Sequence, residues 1–252
     1  LYKIPANTLF LGHNLVYVPE CHSTNTLVAD LVQKATATEG TLVITDHQTA
    51  GRGQRGNTWQ AAIGLNFTFS FLLQPRFLSI KDQFYLQRVV ALGITDYLYP
   101  YFGDDVKIKW PNDILISGKK LCGVLIENQL SGASVSQSIV GIGLNVNQKE
   151  FALPAATSMA LQSGYEFDLP QELEKLVEKL EARYLQLKQH REEQLKADYL
   201  QRMYWRHETH TFSAQGDEFE GKIIGTNQMG LLQIESSEGV RTFDVKEVTY
   251  LN

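Results

Sequence analysis

Residues 51–56, GRGQRG, constrain the fold more than any other segment, because of what stands on each side of them. Ahead of them, TLVIT at 41–45 reads as a buried strand; behind them, LNFTFSFLL at 65–73 alternates large apolar with small polar residues at period two, again the mark of a strand. The pattern G-x-G-x-x-G belongs to a dinucleotide fold only where a helix opens at the glycines and its N-terminus holds a pyrophosphate. Here residues 57–64 contain Trp59 and lead into another strand, which argues against that fold. What remains is a strand–loop–strand unit whose three glycines let a backbone approach a ligand closely, with Arg52 and Arg55 suited to a carboxylate or phosphate. A flexible surface turn kept soluble by its arginines fits the same residues.

The remaining elements fall around this unit. TLVADLVQKA, behind Ser23, Thr24 and Asn25, predicts a helix, and residues 80–98, apolar at three- and four-residue spacing and free of proline, predict a longer one packed on a sheet. Three further strand regions follow: VKIKW from Val106, a hairpin of ILI and LCGVLIE turning at Ser117 and Gly118, and SQSIVGIGLNV ending near Val146. After Pro170, strong helix formers with one charged, solvated face predict a long helix or helix pair. Past Trp205 the texture changes to HTFSA, FEGKIIG, GLLQIES and VRTFDV, separated by turn residues, which reads as a small β-barrel. The expectation is an α+β protein, a mixed sheet flanked by helices over 1–206 and a small β domain over 207–252, without internal repeats.

Composition narrows the function classes. A chain of 252 residues, 43% apolar and 20% charged, can bury a core without covalent staples. A formal charge of -5 argues against nucleic acid as a partner. Cys21 and Cys122 make no disulfide framework, no apolar run approaches the ~20 residues of a membrane span, and LYKIPANTLF lacks a secretory pattern. A soluble cytoplasmic protein, with no membrane partner, is the expectation.

Several side chains admit both a structural and a chemical reading. In KWPND, 109–113, Pro111 ends strand pairing; Asn112 and Asp113 then initiate a turn, or Asn112 bonds a ligand while Asp113 accepts a proton or helps hold magnesium. Lys119 and Lys120 serve solubility beyond the Ser117–Gly118 turn, or one of them points into a pocket and neutralises two anions that must meet. Helix capping accounts for at least one of Ser23, Thr24 and Asn25, and Gln48 offers the donor and acceptor that a urea-like edge requires. GIGLNVN, 141–147, is either a bulge and turn or a place for a flat ring such as adenine. HETH at 207–210 lacks the spacing that would set two histidines on one helical face for zinc.

Taken in order, STN, Gln48, GRGQRG with Trp59, KWPND, KKLCGVLIEN and GIGLNVN closely resemble the biotin protein ligase family, from about residue 17 to the C-terminus. The resemblance implies the catalytic sheet of that family, of the class II synthetase-like kind, with an SH3-like C-terminal β-barrel. It implies an ATP- and Mg2+-dependent enzyme that forms biotinyl-5'-AMP and passes the biotinyl group to a lysine of a biotin carboxyl carrier protein or domain of acetyl-CoA or a related carboxylase. By the motifs, Ser23, Thr24, Asn25 and Gln48 surround the ureido end of biotin, with the backbone of Arg52, Gly53 and Gln54, and Gly123, alongside. Lys120 lies between the biotin carboxylate and the α-phosphate. Arg52, Arg55, Trp59, Asn112, Lys120 and Asn145 belong to the nucleotide side, Trp59 stacking near adenine once the glycine loop closes. Lys120, Arg52 and Asp113 form the catalytic set, Asp113 as proton acceptor or magnesium ligand, with biotin and ATP as substrates and no tightly bound redox cofactor. Gln54 departs from the arginine of many relatives, which bears on how tightly the adenylate is retained. The match begins too early to leave room for the DNA-binding domain of some relatives, Leu1 in place of methionine suggests a trimmed chain, and a homodimer through a sheet edge is known in the family. Lipoate or octanoyl transfer on the same fold, and a non-catalytic biotin sensor, are the alternatives.

Overall fold

The computed structural model describes residues 2–251, without the side chain of Arg55. Seven strands form one mixed sheet: β1 (Leu15–Cys21), β2 (Leu42–Gln48), β3 (Phe67–Leu73), β4 (Val106–Lys109), β5 (Asp113–Ile116), β6 (Lys119–Ser131) and β7 (Ser134–Leu144). Their spatial order is β1-β2-β3-β7-β6-β5-β4. β1 and β2 are parallel and joined through α1 (Thr24–Gln33); the other pairs are antiparallel. The expected hairpin is present, with Ser117 at φ 49 and Gly118 at φ 76, the left-handed pair that closes a two-residue turn.

Period two divides the sheet into unlike faces. Phe67, Phe69, Phe71 and Leu73 of β3, with Leu42 and Ile44 of β2, join the main core with α2 (Phe84–Phe102) and α4 (Leu169–Lys188). On the opposite face Val43 and Leu72 pack with Val28 of α1 in a small second cluster. The alternation expected of a half-exposed strand is therefore buried on both sides in β3.

The helices depart from expectation in two ways. The helix expected over 80–98 starts at Phe84, after a 3-10 turn over Ile80–Asp82 closed by Ser79 Oγ donating to Asp82 Oδ2 at 2.6 Å, and it runs through Pro100 to Phe102. Its last turns are held from outside, since Tyr97 and Tyr101 both donate to the buried carboxylate of Glu172. The long segment is the helix pair that its pattern allowed, α4 and α5 (Glu192–Gln201), after α3 (Met159–Ser163), with His190 at φ 57 in the break between α4 and α5; the departure lies in its charges. Its charges are not all solvated: Glu181 accepts the backbone N–H groups of Leu9, Phe10 and Leu11, and Arg183 pairs with Asp96 and Asp198. Charge along a helix is spent inside when a neighbouring segment brings unpaired partners to it.

The C-terminal strands β8 (Thr209–Ala214), β9 (Asp217–Thr226), β10 (Leu232–Ser236), β11 (Gly239–Phe243) and β12 (Thr249–Leu251) form an antiparallel sheet ordered β11-β10-β9-β8-β12. No ladder joins β11 to β12 among the described residues, so the expected barrel is present as a sheet with two edges. Its core, including Phe212, Ile223 and Ile234, is continuous with that of the larger sheet. The loop between β9 and β10 props the KWPND turn: Trp110 Nε1 donates to Gly230 O at 2.8 Å, and a Cβ at Gly230 would lie 2.2 Å from the Phe84 ring. Cys21 and Cys122 are unpaired, and no helix among the described residues is long and apolar enough to cross a membrane.

Candidate active site

A bare floor lies on the sheet face opposite α2. β3 offers Thr68 and Ser70 there, β7 Gly141 and Gly143, and β6 Gly123; the register sets Ser70 beside Gly141, and Gly143 between Thr68 and Gly123. The glycines are required by what sits above them. A Cβ at Gly143 would lie 2.2 Å from the Trp59 ring, and one at Gly141 2.2 Å from Asn25 Oδ1. The intervening Val140, Ile142 and Leu144 fill the core behind the floor.

One end of the floor is a neutral polar network. β2 continues past TLVIT because Glu20 and Cys21 of β1 pair with His47 and Gln48, which carries Gln48 to the start of α1. Ser23 occupies the N-cap position but makes no side-chain cap bond. Gln48 Oε1 instead accepts from Thr24 N at 2.7 Å, doing from a distant strand what a capping hydroxyl does locally. Thr24 Oγ1 and Ser70 Oγ lie 2.6 Å apart, and Ser70 Oγ donates to Asn25 Oδ1 at 2.5 Å. Asn25 Nδ2 donates to Glu127 Oε2 at 2.7 Å.

The glycine loop forms one wall. Gly53 N donates to Asn57 O at 2.7 Å and Trp59 N to Gly51 O at 3.0 Å, with a single 3-10 turn over Gln54–Gly56, so no α-helix opens at the glycines. The Arg52 guanidinium makes a forked pair with Glu127, Nη1 to Oε1 at 2.9 Å and Nη2 to Oε2 at 2.8 Å. The Trp59 ring folds inward over Gly143 and Gly123, 6.0 Å from Lys120 Nζ, and its buried Nε1 has no hydrogen-bond partner among the described residues.

The other end is charged. Asn112 is tied to β6 twice, its Nδ2 donating to Val124 O at 2.7 Å and its carbonyl accepting from Val124 N at 3.0 Å, so the turn reading accounts for that amide group. These bonds set Asp113 at the start of β5, where Oδ1 meets Lys120 Nζ at 2.7 Å. Lys120 is held by its own backbone, N to Ala155 O at 2.7 Å and O from Thr157 N at 2.9 Å, whereas Lys119 is exposed. Burial pulls the ammonium of nearby Lys109 below its usual range; Asp113 opposes the shift and Lys120 adds to it. Asp113 is the single carboxylate lining the cavity among the described residues, and no three His, Cys, Asp or Glu side chains there are grouped to hold a metal. That set suits an ion arriving on a phosphate chain and completed by one protein carboxylate, not a resident metal cage.

Between the two ends is a cavity of about 110 Å3. Of the residues expected from sequence, Ser23, Thr24, Asn25, Gln48, Arg52, Gly53, Gln54, Trp59, Asn112, Asp113, Lys120 and Gly123 all line it. Asn145 does not; it is buried, its Nδ2 donates to Thr157 O at 2.9 Å, and its Oδ1 has no hydrogen-bond partner among the described residues. The side chain of Arg55 lies outside the described residues. Sequence reasoning missed Glu127, Thr68, Ser70 and Lys109 as individual residues. The small-polar half of FTFSF was the available signal for two of them, because a strand with phenylalanines on one face must show Thr68 and Ser70 on the other.

The chain matches the model of the biotin/lipoate A/B protein ligase family over residues 17–145. It is 31% identical over 242 residues to the bifunctional ligase/repressor BirA of Bacillus spizizenii, covering 93% of this chain and 73% of that protein. It is 33% identical over 191 residues to the biotin–[acetyl-CoA-carboxylase] ligase of Mycobacterium tuberculosis, covering 72% of this chain and 68% of that one. Among solved structures, the biotin protein ligase of Aquifex aeolicus in complex with biotin and ATP superposes with a TM-score of 0.78 at 28% identity, over 95% of this chain and 99% of the other.

Proposed function

Because the chain belongs to the biotin/lipoate A/B protein ligase family, we propose that its cavity is where it activates biotin with ATP before passing the biotinyl group to a carrier-protein lysine. The observation that carries this reading is the pairing of unlike ends in one cavity, the Gln48–Thr24–Ser70–Asn25 network at one and Lys120 at the other. A ligand with a neutral urea ring, an apolar middle and a terminal carboxylate matches that order of donors, bare glycine floor and cation.

In the first step a biotin carboxylate oxygen attacks the α-phosphorus of ATP and pyrophosphate leaves. Both reactants are anions, and the ammonium of Lys120 offsets their repulsion while the phosphorus gathers further negative charge. In the second step the amine of the carrier lysine attacks the carbonyl of the mixed anhydride, AMP leaves, and the amine gives up a proton. Asp113 is placed to take that proton, or would help hold a magnesium ion that accompanies ATP. Asn112, which lines the cavity, serves the nucleotide side directly, Asn145 serves it from behind by holding Thr157 beside Lys120, and the glycine loop with Trp59 keeps water from the anhydride. Residues 207–252 act as a small domain of their own whose part is to hold the KWPND turn, through Gly230 and Trp110, and to complete the surface offered to the carrier.

Incubating the purified chain with labelled biotin, Mg-ATP and a carrier domain tests the reading. Pyrophosphate release and label on the carrier are expected, with no label once the acceptor lysine is replaced. Preference for lipoate or octanoate in parallel reactions, or biotin binding without pyrophosphate release, overturns it.

A further inference from the structure

Glu127 does not line the cavity, yet its carboxylate holds two cavity residues at once. It stands on β6 two residues beyond Leu125, hence on the same face of the sheet as Gly123, and level with the rim. One side of it takes both Nη groups of Arg52, from the glycine loop; Oε2 also takes Nδ2 of Asn25, from the start of α1. The loop and α1 have no reason in local sequence to meet, and this carboxylate is where they do.

We propose that Glu127 is a positioning residue that latches the glycine loop over the cavity and sets which edge of Asn25 faces the ligand. This rests on the ligase reading for its kinetic consequences and not for the latch itself. Asn25 is 3% exposed, with Oδ1 taken by Ser70 and Nδ2 by Glu127. An amide that loses the acceptor on its nitrogen can turn over, which would exchange the donor and the acceptor that Asn25 presents beside the floor. The same geometry assigns the Arg52 side chain a different part from that implied by the motif alone. Its guanidinium is committed to Glu127 at the rim, so it closes the loop, and the charge that meets the two reacting acids is left to Lys120.

An isolated exposed ion pair contributes little to stability, and Arg52 and Glu127 are 46% and 39% exposed. A latch does not need to add global stability; it needs only to bias the position of one glycine-rich segment. Glutamine at 127 keeps the shape but loses the charge and cannot accept from both Nη groups with both of its side-chain heads. Aspartate keeps the charge on a shorter arm.

The test uses Glu127→Gln and Glu127→Asp in the full chain. Without biotin or ATP, trypsin cleavage after Arg55 is expected to be about tenfold faster in Glu127→Gln than in the unaltered protein. With substrates, KM for biotin is expected to rise about tenfold and the bound adenylate to be lost correspondingly faster, while kcat at saturation stays within about threefold. Glu127→Asp falls between, and the exchanged pair Arg52→Glu with Glu127→Arg regains loop protection that each single change loses. Equal protease resistance in Glu127→Gln, or a fall in kcat with KM unchanged, overturns the latch. Because cleavage is read without ligand, an unaltered protein that makes no adenylate would sink the ligase reading while leaving the latch standing.

Discussion

The two faces of the seven-stranded sheet are made by the same strands and do opposite work. Along β3 the residues facing α2 are Phe67, Phe69, Phe71 and Leu73, all essentially unexposed, while Thr68 and Ser70 between them belong to the cavity side. Along β7 the contrast sharpens to Val140, Ile142 and Leu144 against Gly141 and Gly143. One face is filled and gains its stability from apolar area; the other is left bare so that Asn25, Trp59 and a ligand can lie on it. A sheet of this kind separates folding from chemistry at the resolution of single residues. Substitutions on the two faces should therefore fail differently.

The largest effect is expected on the filled face. Phe69→Ala should lower unfolding free energy by about 3–5 kcal/mol in urea titrations while leaving the KM for biotin of the folded fraction unchanged. A loss below about 1 kcal/mol would mean that the core face is not what holds the sheet together. Lys120→Ala comes next and should show the reverse, adenylate formation down by about 10²-fold with little change in the melting midpoint. Near-normal adenylate synthesis would remove Lys120 from its role. Gly143→Ala adds a methyl where the Trp59 ring now lies and should raise KM for biotin on the order of tenfold, with a change in tryptophan fluorescence as the indole moves. If stability falls and KM does not, the bare face is structural after all.

The smallest effect is a matter of pH in the helical layer. Burial works to raise the Asp96 carboxyl, but hydrogen bonds and charge from Arg183 and Arg202 outweigh it and hold the group below the usual carboxylate range. A depressed carboxyl contributes stability above its unfolded pKa of about 3.9 and loses it as pH falls through the lower folded value. Melting midpoints of the unaltered protein should therefore drop below about pH 4, and Asp96→Asn should flatten that limb without touching KM for biotin. An unchanged acid limb in Asp96→Asn would show that other groups set it.

Much of this was legible residue by residue. The strand–glycine loop–strand unit, the hairpin at Ser117 and Gly118, and the convergence of STN, Gln48, the glycine loop, KWPND and Lys120 on one cavity all follow from local pattern or motif. Glu127 was invisible because a glutamate among strand residues looks like any solvated charge until its cross-sheet neighbours are known. Asn145, expected on the nucleotide side, lies outside the cavity lining, its amide held by Thr157. Capping of α1 was expected from at least one of Ser23, Thr24 and Asn25; Ser23 holds the N-cap position without a side-chain cap bond, and Gln48 accepts the Thr24 N–H instead, because the parallel pairing of β1 with β2 brings that side chain to the helix start. Glu172, Glu181 and Arg183 looked like surface and are buried.

From its sequence the chain determined which residues alternate, where glycines permit a turn or a close approach, and therefore which strands and hairpins form, since these depend on backbone sterics and on neighbours a few positions away. Which polar side chains meet was settled only by the tertiary structure. Glu127, Arg52 and Asn25 are brought together by sheet order, and hydrogen bonds act over about 3 Å whatever the distance along the chain.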